Sequence, residues 1–265
     1  MLKALVITTA GTNCDAELAT AFEMVGAHAD VTHVNRLISK PETLDHYDLM
    51  GLPGGFSYGD AIAAGRIAAQ LMRKHVYRAF VRAIERGVPI IAPCNGLQTA
   101  VQMGLLPGPA VGENWPEQPP EQTVSLALNE SARFVDRWCA VEIEADSRCV
   151  WTAGLSVDAW TGVLPVAHGE GRFVPASDGV REQLKQSGQI AVRYSAKDNP
   201  NGSVDDIAGI CDASGLVFGL MPHPERFTRW VQHPFWTRMQ NQPAHDPLGL
   251  AMFRNAVSQA LQATS

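Results

Sequence analysis

The sequence predicts an α/β fold, a mostly parallel sheet flanked by helices with added β-strands. Three observations predict it. Short apolar runs recur through the first half, Leu2 to Ile7, Ala29 to Val34, Leu49 to Leu52 and Pro89 to Ala92, as strands covered on both faces require. The first and the last two run straight into a loop and then a stretch with helical spacing, the signature of βα units. From Val124 onward the pattern changes to closely spaced apolar runs, which read as added strands rather than another βα repeat.

Taken in order, Leu2 to Ile7 stops at Thr8-Thr9-Ala10-Gly11-Thr12-Asn13, and Asp15 to Val25 then has helical spacing. The strand at Leu49 to Leu52 enters Pro53-Gly54-Gly55-Phe56-Ser57-Tyr58-Gly59-Asp60, where the glycines allow either a sharp turn or a bare backbone facing a ligand. Helices are expected over Ile62 to Met72 and Val76 to Arg86, the second ended by Gly87. Pro89 to Gln98, P-I-I-A-P-C-N-G-L-Q, is a buried strand, a tight turn and the start of a helix that runs to Met103. The five prolines between Pro107 and Pro120 exclude a regular element there. Ala140 to Ile143, Gly162 to Ala167 and Gln189 to Tyr194 read as strands, His168 to Phe173 as a polar loop and Asp178 to Gln186 as a helix. Ile207 to Cys211 and Leu216 to Leu220 form a hairpin across Asp212-Ala213-Ser214-Gly215. Phe227 to Asp246 has no period, and Leu248 to Gln262 closes the chain as a helix. The expectation is a single domain over residues 1–265.

Composition narrows the function. With 46% hydrophobic and 18% charged residues, 265 residues bury a sizeable core. A formal net charge of −6 gives no electrostatic reason to expect nucleic acid or an anionic membrane as partner. The five cysteines show neither CxxC pairs nor disulfide spacing, and the N-terminal apolar run is too short for a signal peptide, so a soluble cytoplasmic protein is expected. No HExxH or EF-hand series is present, and no metal is expected.

The chemistry centres on Cys94. A buried cysteine is usually a small hydrophobe, but this one sits on a turn that lifts the thiol to a helix N-terminus, which favours the attacking thiolate. The backbone N–H of Asn95 is then placed to donate to an oxyanion. A thiol nucleophile needs a proton shuttle held by a third group, and Met221-Pro222-His223-Pro224-Glu225-Arg226 offers one. The two prolines bias Met221 and His223 towards extended backbone, so His223 and Glu225 should point to the same side. A surface ion pair ending the sheet is the alternative, and Cys94 tips the choice towards catalysis. His168 and Glu170 are compatible with a catalytic role, and at least equally with a structural turn or a substrate-edge contact.

These segments carry a resemblance. P-C-N-G-L-Q with M-G-L-L-P-G and the distant M-P-H-P-E-R is similar to the class I (triad) glutamine amidotransferases. P-G-G-F-S-Y-G-D at 53 to 60, P-V-A-H-G-E-G at 165 to 171, N-G-S-V-D-D-I-A-G at 201 to 209 and G-T-N-C-D at 11 to 15 narrow it to the glutaminase subunits of phosphoribosylformylglycinamidine synthases. The resemblance implies a flavodoxin-like fold with a Cys94, His223 and Glu225 triad. It also implies an oxyanion hole completed by the Gly54, Gly55 and Phe56 backbone with Asn95, and a glutamine pocket at Gln98. It implies L-glutamine as substrate, no cofactor in this chain, ATP and Mg on a separate synthetase subunit, and a small third subunit. A glutaminase serving another synthetase and a non-catalytic regulator on the same fold are the alternatives. The chain departs from the pattern at Ala92, where the family often has glycine, in a longer proline-rich segment at 107 to 121, and in an extra stretch at 228 to 247. Trp230, Phe235 and Trp236 in that stretch are compatible with buried packing and with a partner-binding patch.

Overall fold

The computed structural model describes residues 1–239 and 243–263. The strands are β1 (Lys3–Thr8), β2 (His28–His33), β3 (Leu49–Gly51), β4 (Ile90–Pro93), β5 (Val124–Ala127), β6 (Val135–Ile143), β7 (Val163–His168), β8 (Arg172–Pro175), β9 (Ile190–Tyr194), β10 (Ile207–Cys211) and β11 (Val217–Leu220). The helices are α1 (Asp15–Met24), α2 (Val34–Ser39), α3 (Arg66–His75), α4 (Tyr77–Glu85), α5 (Asn95–Met103), α6 (Asp178–Gln186) and α7 (Leu248–Ala263).

Nine strands form one sheet in the order β2-β1-β3-β4-β11-β10-β9-β6-β7. The half from β2 to β11 is parallel and the half from β11 to β7 antiparallel, so the sheet changes character beside β4. β5 and β8 pair as a separate antiparallel ribbon. The apolar runs are continuous because both faces of the parallel half are covered. Leu5 and Ile7 of β1 join the core that contains residues of α3, α4 and α5, while Ala4 and Val6 join the core that contains residues of α1 and α7. Trp151 anchors the second core, edge-on to both Phe22 and Phe253, with its indole N–H donating to the Leu216 carbonyl at 3.0 Å.

The elements depart from the sequence reading in a few places. The helix expected from Ile62 begins at Arg66, because Ile62 itself takes a positive φ of 76° and Gly65 one of 73°. α2 went unread because its six residues are too few for a period, and β8 because it begins inside the polar 168–173 loop. The proline-rich segment holds no helix or strand; it is pinned by Arg73, which donates to the carbonyls of Pro119 and Pro120. In the 228–247 stretch Trp230 is buried between Phe227 and His245, while Phe235 and Trp236 stay half exposed.

Candidate active site

β4 delivers Cys94. Its φ of 50° and ψ of −110° lie outside the regions an L residue prefers, a strained turn held by the Cys94 N–H bond to the Leu220 carbonyl at 2.7 Å. Helix α5 starts at the next residue, so the Asn95 N–H belongs to a first turn whose donors have no intrahelical acceptor. The helix comes this close because residue 96 is glycine: a Cβ there would stand 1.9 Å from the Leu52 carbonyl oxygen at the end of β3. The thiol donates to the Ala167 carbonyl of β7 at 3.6 Å.

His223 and Glu225 follow β11, the neighbour of β4 in the sheet. The His223 N–H donates to Pro165 of β7 at 2.8 Å, which fixes the backbone. Its Nδ1 lies 2.7 Å from Glu225 Oε1, as the alternation across the two prolines requires. That leaves Nε2 to the thiol; it is buried, with no hydrogen-bond partner in place. Burial of the ring opposes its charge, but the Glu225 carboxylate and the charge of Cys94 as a thiolate outweigh burial and hold His223 well above its ordinary value. An imidazolium there is ready to give a proton to a leaving amine.

The glycine loop wraps the other side of the ring. A Cβ on Gly54 would sit 2.7 Å from His223 Cε1, so only glycine lets the strand end pass this close. Gly55 has a φ of 139° and, with Phe56, lines the same cavity of about 120 Å³ as Cys94 and Gln98. The Phe56 N–H is occupied by the Gly11 carbonyl at 3.0 Å, so the part of Phe56 that faces the cavity is its ring, stacked on Phe134 at 6.2 Å. Asn95 locks this loop to the elbow: its Oδ1 accepts from the Ser57 N–H, and its Nδ2 donates to Asp60 and to Gln98 Oε1. Gln98 Nε2 donates to the Glu170 carbonyl at 2.6 Å. The structure thus places the residues of the expected triad and pocket at one end of β4, but corrects the expected oxyanion hole: the Phe56 backbone N–H is spent on Gly11 and is not open to an oxyanion.

The arrangement has a nucleophile on an elbow, a histidine with its orienting carboxylate, and backbone donors beside them, the parts of an acyl-transfer site. The CobB/CobQ-like glutamine amidotransferase domain model matches residues 1–259. The phosphoribosylformylglycinamidine synthase subunit PurQ of Dehalococcoides mccartyi is 40% identical over 270 residues, 98% of each chain. The subunit of the same name from Cereibacter sphaeroides is 40% identical over 235 residues, covering 87% of this chain and 91% of its own. The chain belongs to the PurQ family of glutamine amidotransferases. Among solved structures, PurLQS from Thermotoga maritima contains a chain matching 97% of this one and 99% of itself, with a TM-score of 0.70 and 30% identity. The glutaminase domain of Trypanosoma brucei CTPS, with a TM-score of 0.55 and 15% identity over 99% of this chain and 94% of its own, shares the fold.

In this PurQ-family chain the G-T-N-C-D opening has a structural place that its sequence did not disclose. Cys14 is buried behind the triad, its sulfur accepting from Arg226 Nη2 at 3.1 Å and its thiol donating to Asn13 Oδ1 at 3.2 Å. Burial pushes the Cys14 thiol up, which keeps it a donor. Cys14, His223 and Glu225 bring ligand-type atoms within 4.8 Å of one another, the one such group among the described residues. The His223 Nδ1 and Glu225 Oε1 atoms are spent on each other, so the trio reads as support for the imidazole. Arg226 also reaches Glu17 of α1 at 3.2 Å, tying the H-P-E turn to the first helix. This pairing spans most of the chain and carries no local signal.

Proposed function

We propose that this chain is the glutaminase subunit of a phosphoribosylformylglycinamidine synthase. It hydrolyses L-glutamine to glutamate and ammonia, and the ammonia passes to a synthetase subunit. The observation that carries this reading is a complete Cys94, His223 and Glu225 triad in a chain that matches a PurQ subunit along 98% of both lengths. The complex named in the PurLQS structure supports an assembly with a synthetase.

The Cys94 thiolate attacks the side-chain amide carbon, and the negative charge on the amide oxygen falls to the Asn95 N–H and the Gly54–Gly55 backbone. Collapse of the tetrahedral intermediate breaks the C–N bond, and His223 supplies the proton that lets the nitrogen leave as ammonia. The γ-glutamyl thioester remains on Cys94. Water, losing a proton to His223, attacks the thioester; the C–S bond breaks and glutamate departs. Glu225 holds the imidazole in the tautomer that presents Nε2 and stabilises it when charged. On the partner, ATP with Mg would supply the activation of the formylglycinamide oxygen that lets ammonia replace it and form the amidine, and a small third subunit would complete the complex. No helix of the described residues is long and apolar enough to cross a membrane, which accords with a cytoplasmic enzyme.

The reading is tested by adding the purified chain to a phosphoribosylformylglycinamidine synthetase subunit and measuring glutamate release, ATP use and amidine formation. Glutamine-dependent amidine formation that needs both proteins supports it. Glutamate release that no such synthetase couples to amidine formation, but another synthetase does, would reassign the chain to that partner.

A further inference from the structure

The carboxylate of the triad has two oxygens and uses one of them. Glu225 Oε1 pairs with His223 Nδ1 at 2.7 Å, while Oε2 is buried with no hydrogen-bond partner. An open oxygen on a buried carboxylate is costly, and a guanidinium fills it well, with N–H donors in a planar fork. One stands on the next residue. Arg226 is half-buried, and the Glu225 charge is among those that raise it. Its donors nevertheless go elsewhere, Nη2 to the Cys14 sulfur at 3.1 Å and Nε to Glu17 Oε1 at 3.2 Å.

Cys14 is placed to hold that guanidinium. Its backbone is fixed on both sides, the N–H donating to the Gly54 carbonyl at 3.3 Å and the carbonyl accepting from the Leu18 N–H at 3.0 Å. The S–H goes to Asn13 Oδ1 at 3.2 Å, and burial pushes the thiol up, so the sulfur is neutral and leaves its lone pairs to Arg226. A Glu225 carboxylate oxygen and a His223 ring nitrogen both lie within 4.8 Å of that sulfur. The groups facing the His223 ring are Cys94 from the elbow, Glu225 and Arg226 from its own turn, Cys14 with Glu17 behind it from α1, and His168 from the end of β7. Gly54 of the glycine loop lies bare against the ring. His168, whose Nδ1 donates to Asn129 Oδ1 at 3.1 Å, adds no charge at physiological pH, because burial, then His223, lower its ring to about 4.

We propose that Cys14 is a positioning residue of the glutaminase reaction: with Glu17 it holds the Arg226 guanidinium off the open oxygen of Glu225, so that the charge of this carboxylate is left to His223. This rests on the glutaminase reading. With Arg226 bonded to Glu225 Oε2, a second cation would share the carboxylate, and the imidazolium that protonates departing ammonia would lose part of its support. A neutral acceptor is the chemistry that residue 14 needs. An anion there would stand beside Glu225 and oppose its charge, and an apolar side chain would leave Nη2 free to turn.

The test is the kcat–pH profile of glutamate release by the complex with its synthetase, read through a double-mutant cycle. Cys14→Ala should move the limb set by loss of the His223 proton to lower pH by about one pH unit, with the KM for glutamine unchanged, since the residue does not touch the substrate. In an Arg226→Gln background, where the competing cation is gone, the same substitution should leave the limb where Arg226→Gln alone puts it. Cys14→Ser keeps a neutral acceptor of similar size and should keep the wild-type limb. Ammonium-dependent amidine formation reports whether each complex is assembled. Where Cys14→Ala fails to assemble, Glu17→Ala loosens the same guanidinium from its exposed side. It must move the limb in the same direction when Arg226 is present, and an unmoved limb there would overturn the proposal. An unmoved limb in an assembled Cys14→Ala complex would make the cysteine a packing residue and overturn it too. A shift equally large with Arg226→Gln in place would assign it to a direct contact between sulfur and ring, with the same result. All three outcomes leave the glutaminase reading intact. A wild-type complex that uses ammonium but releases no glutamate would overturn both.

Discussion

Gly54 shows how little room surrounds His223. A methyl group there meets His223 Cε1 at 2.7 Å and Cys14 Sγ at 3.2 Å, and neither can retreat into a buried site. Gly54→Ala should leave the chain folded, because the strain of one extra methyl is about 1–3 kcal/mol. It should still lower glutaminase kcat by about 10²-fold, since displacing the ring by an ångström breaks the alignment with Cys94. Activity retained in a folded variant would show that the ring has slack. Glu225→Gln removes the charge that holds His223 up. Burial is then opposed by one fewer charge, so the limb of the kcat–pH profile set by loss of the His223 proton should move to lower pH, and kcat should fall on the order of 10²- to 10⁴-fold. An unmoved limb would assign that limb to another group. His168 gives a stability prediction with the opposite sign. Its folded value, about 4, lies below the ordinary 6.5, so the stability it contributes is present above 6.5 and is lost as pH falls towards 4. The full loss is about 3 kcal/mol. Urea midpoints at pH 7 and pH 4.5 should therefore differ less in His168→Asn, whose amide can still donate to Asn129. Equal acid sensitivity would mean that the ring is not buried neutral.

At the scale of elements, legibility followed the range of the interaction that makes each one. β1, β3, β4 and α5 were read from local pattern because the burial that defines them recurs residue by residue, and α5 ends at Gly104 with a φ of 82°, as a helix C-terminus favours. The hairpin β10–β11 was read from its turn residues. β8 could not be, since its partner β5 lies some fifty residues earlier and its face is set by the Ser203 hydroxyl, which accepts from the Phe173 N–H at 2.9 Å. The elbow itself was legible, and its packing was not: Gly96 faces Leu52, a contact between the first turn of α5 and the end of β3 that no spacing reveals. Gly96→Ala would put its methyl 1.9 Å from a carbonyl oxygen, so α5 must move or the chain unfold. A drop in thermal midpoint together with loss of glutaminase is expected, and a variant with wild-type stability would show that α5 is not seated against β3.

At the scale of the molecule, the site exists because β11 pairs parallel to β4, with Leu220 opposite Pro93, so both strands end at the same edge of the sheet. That places the end of β11, with the H-P-E turn, next to the elbow, and brings β7 across both through Pro165 and Ala167. The candidate triad residues stood out because each sits in a short motif, whereas Cys14 depends on contacts that the sheet creates. The rest of the fold holds this end in place from a distance. Trp151 bridges α1, α7 and the sheet, and Trp151→Ala should lose about 3–5 kcal/mol in denaturant unfolding without touching the cavity. The central claim concerns a chain that makes ammonia for a partner, and the most direct measurement is nitrogen-source exchange in the assembled complex carrying Cys94→Ala. The account predicts no amidine from glutamine and wild-type amidine formation from added ammonium. Glutamine-dependent amidine formation at the wild-type rate in that variant would contradict it.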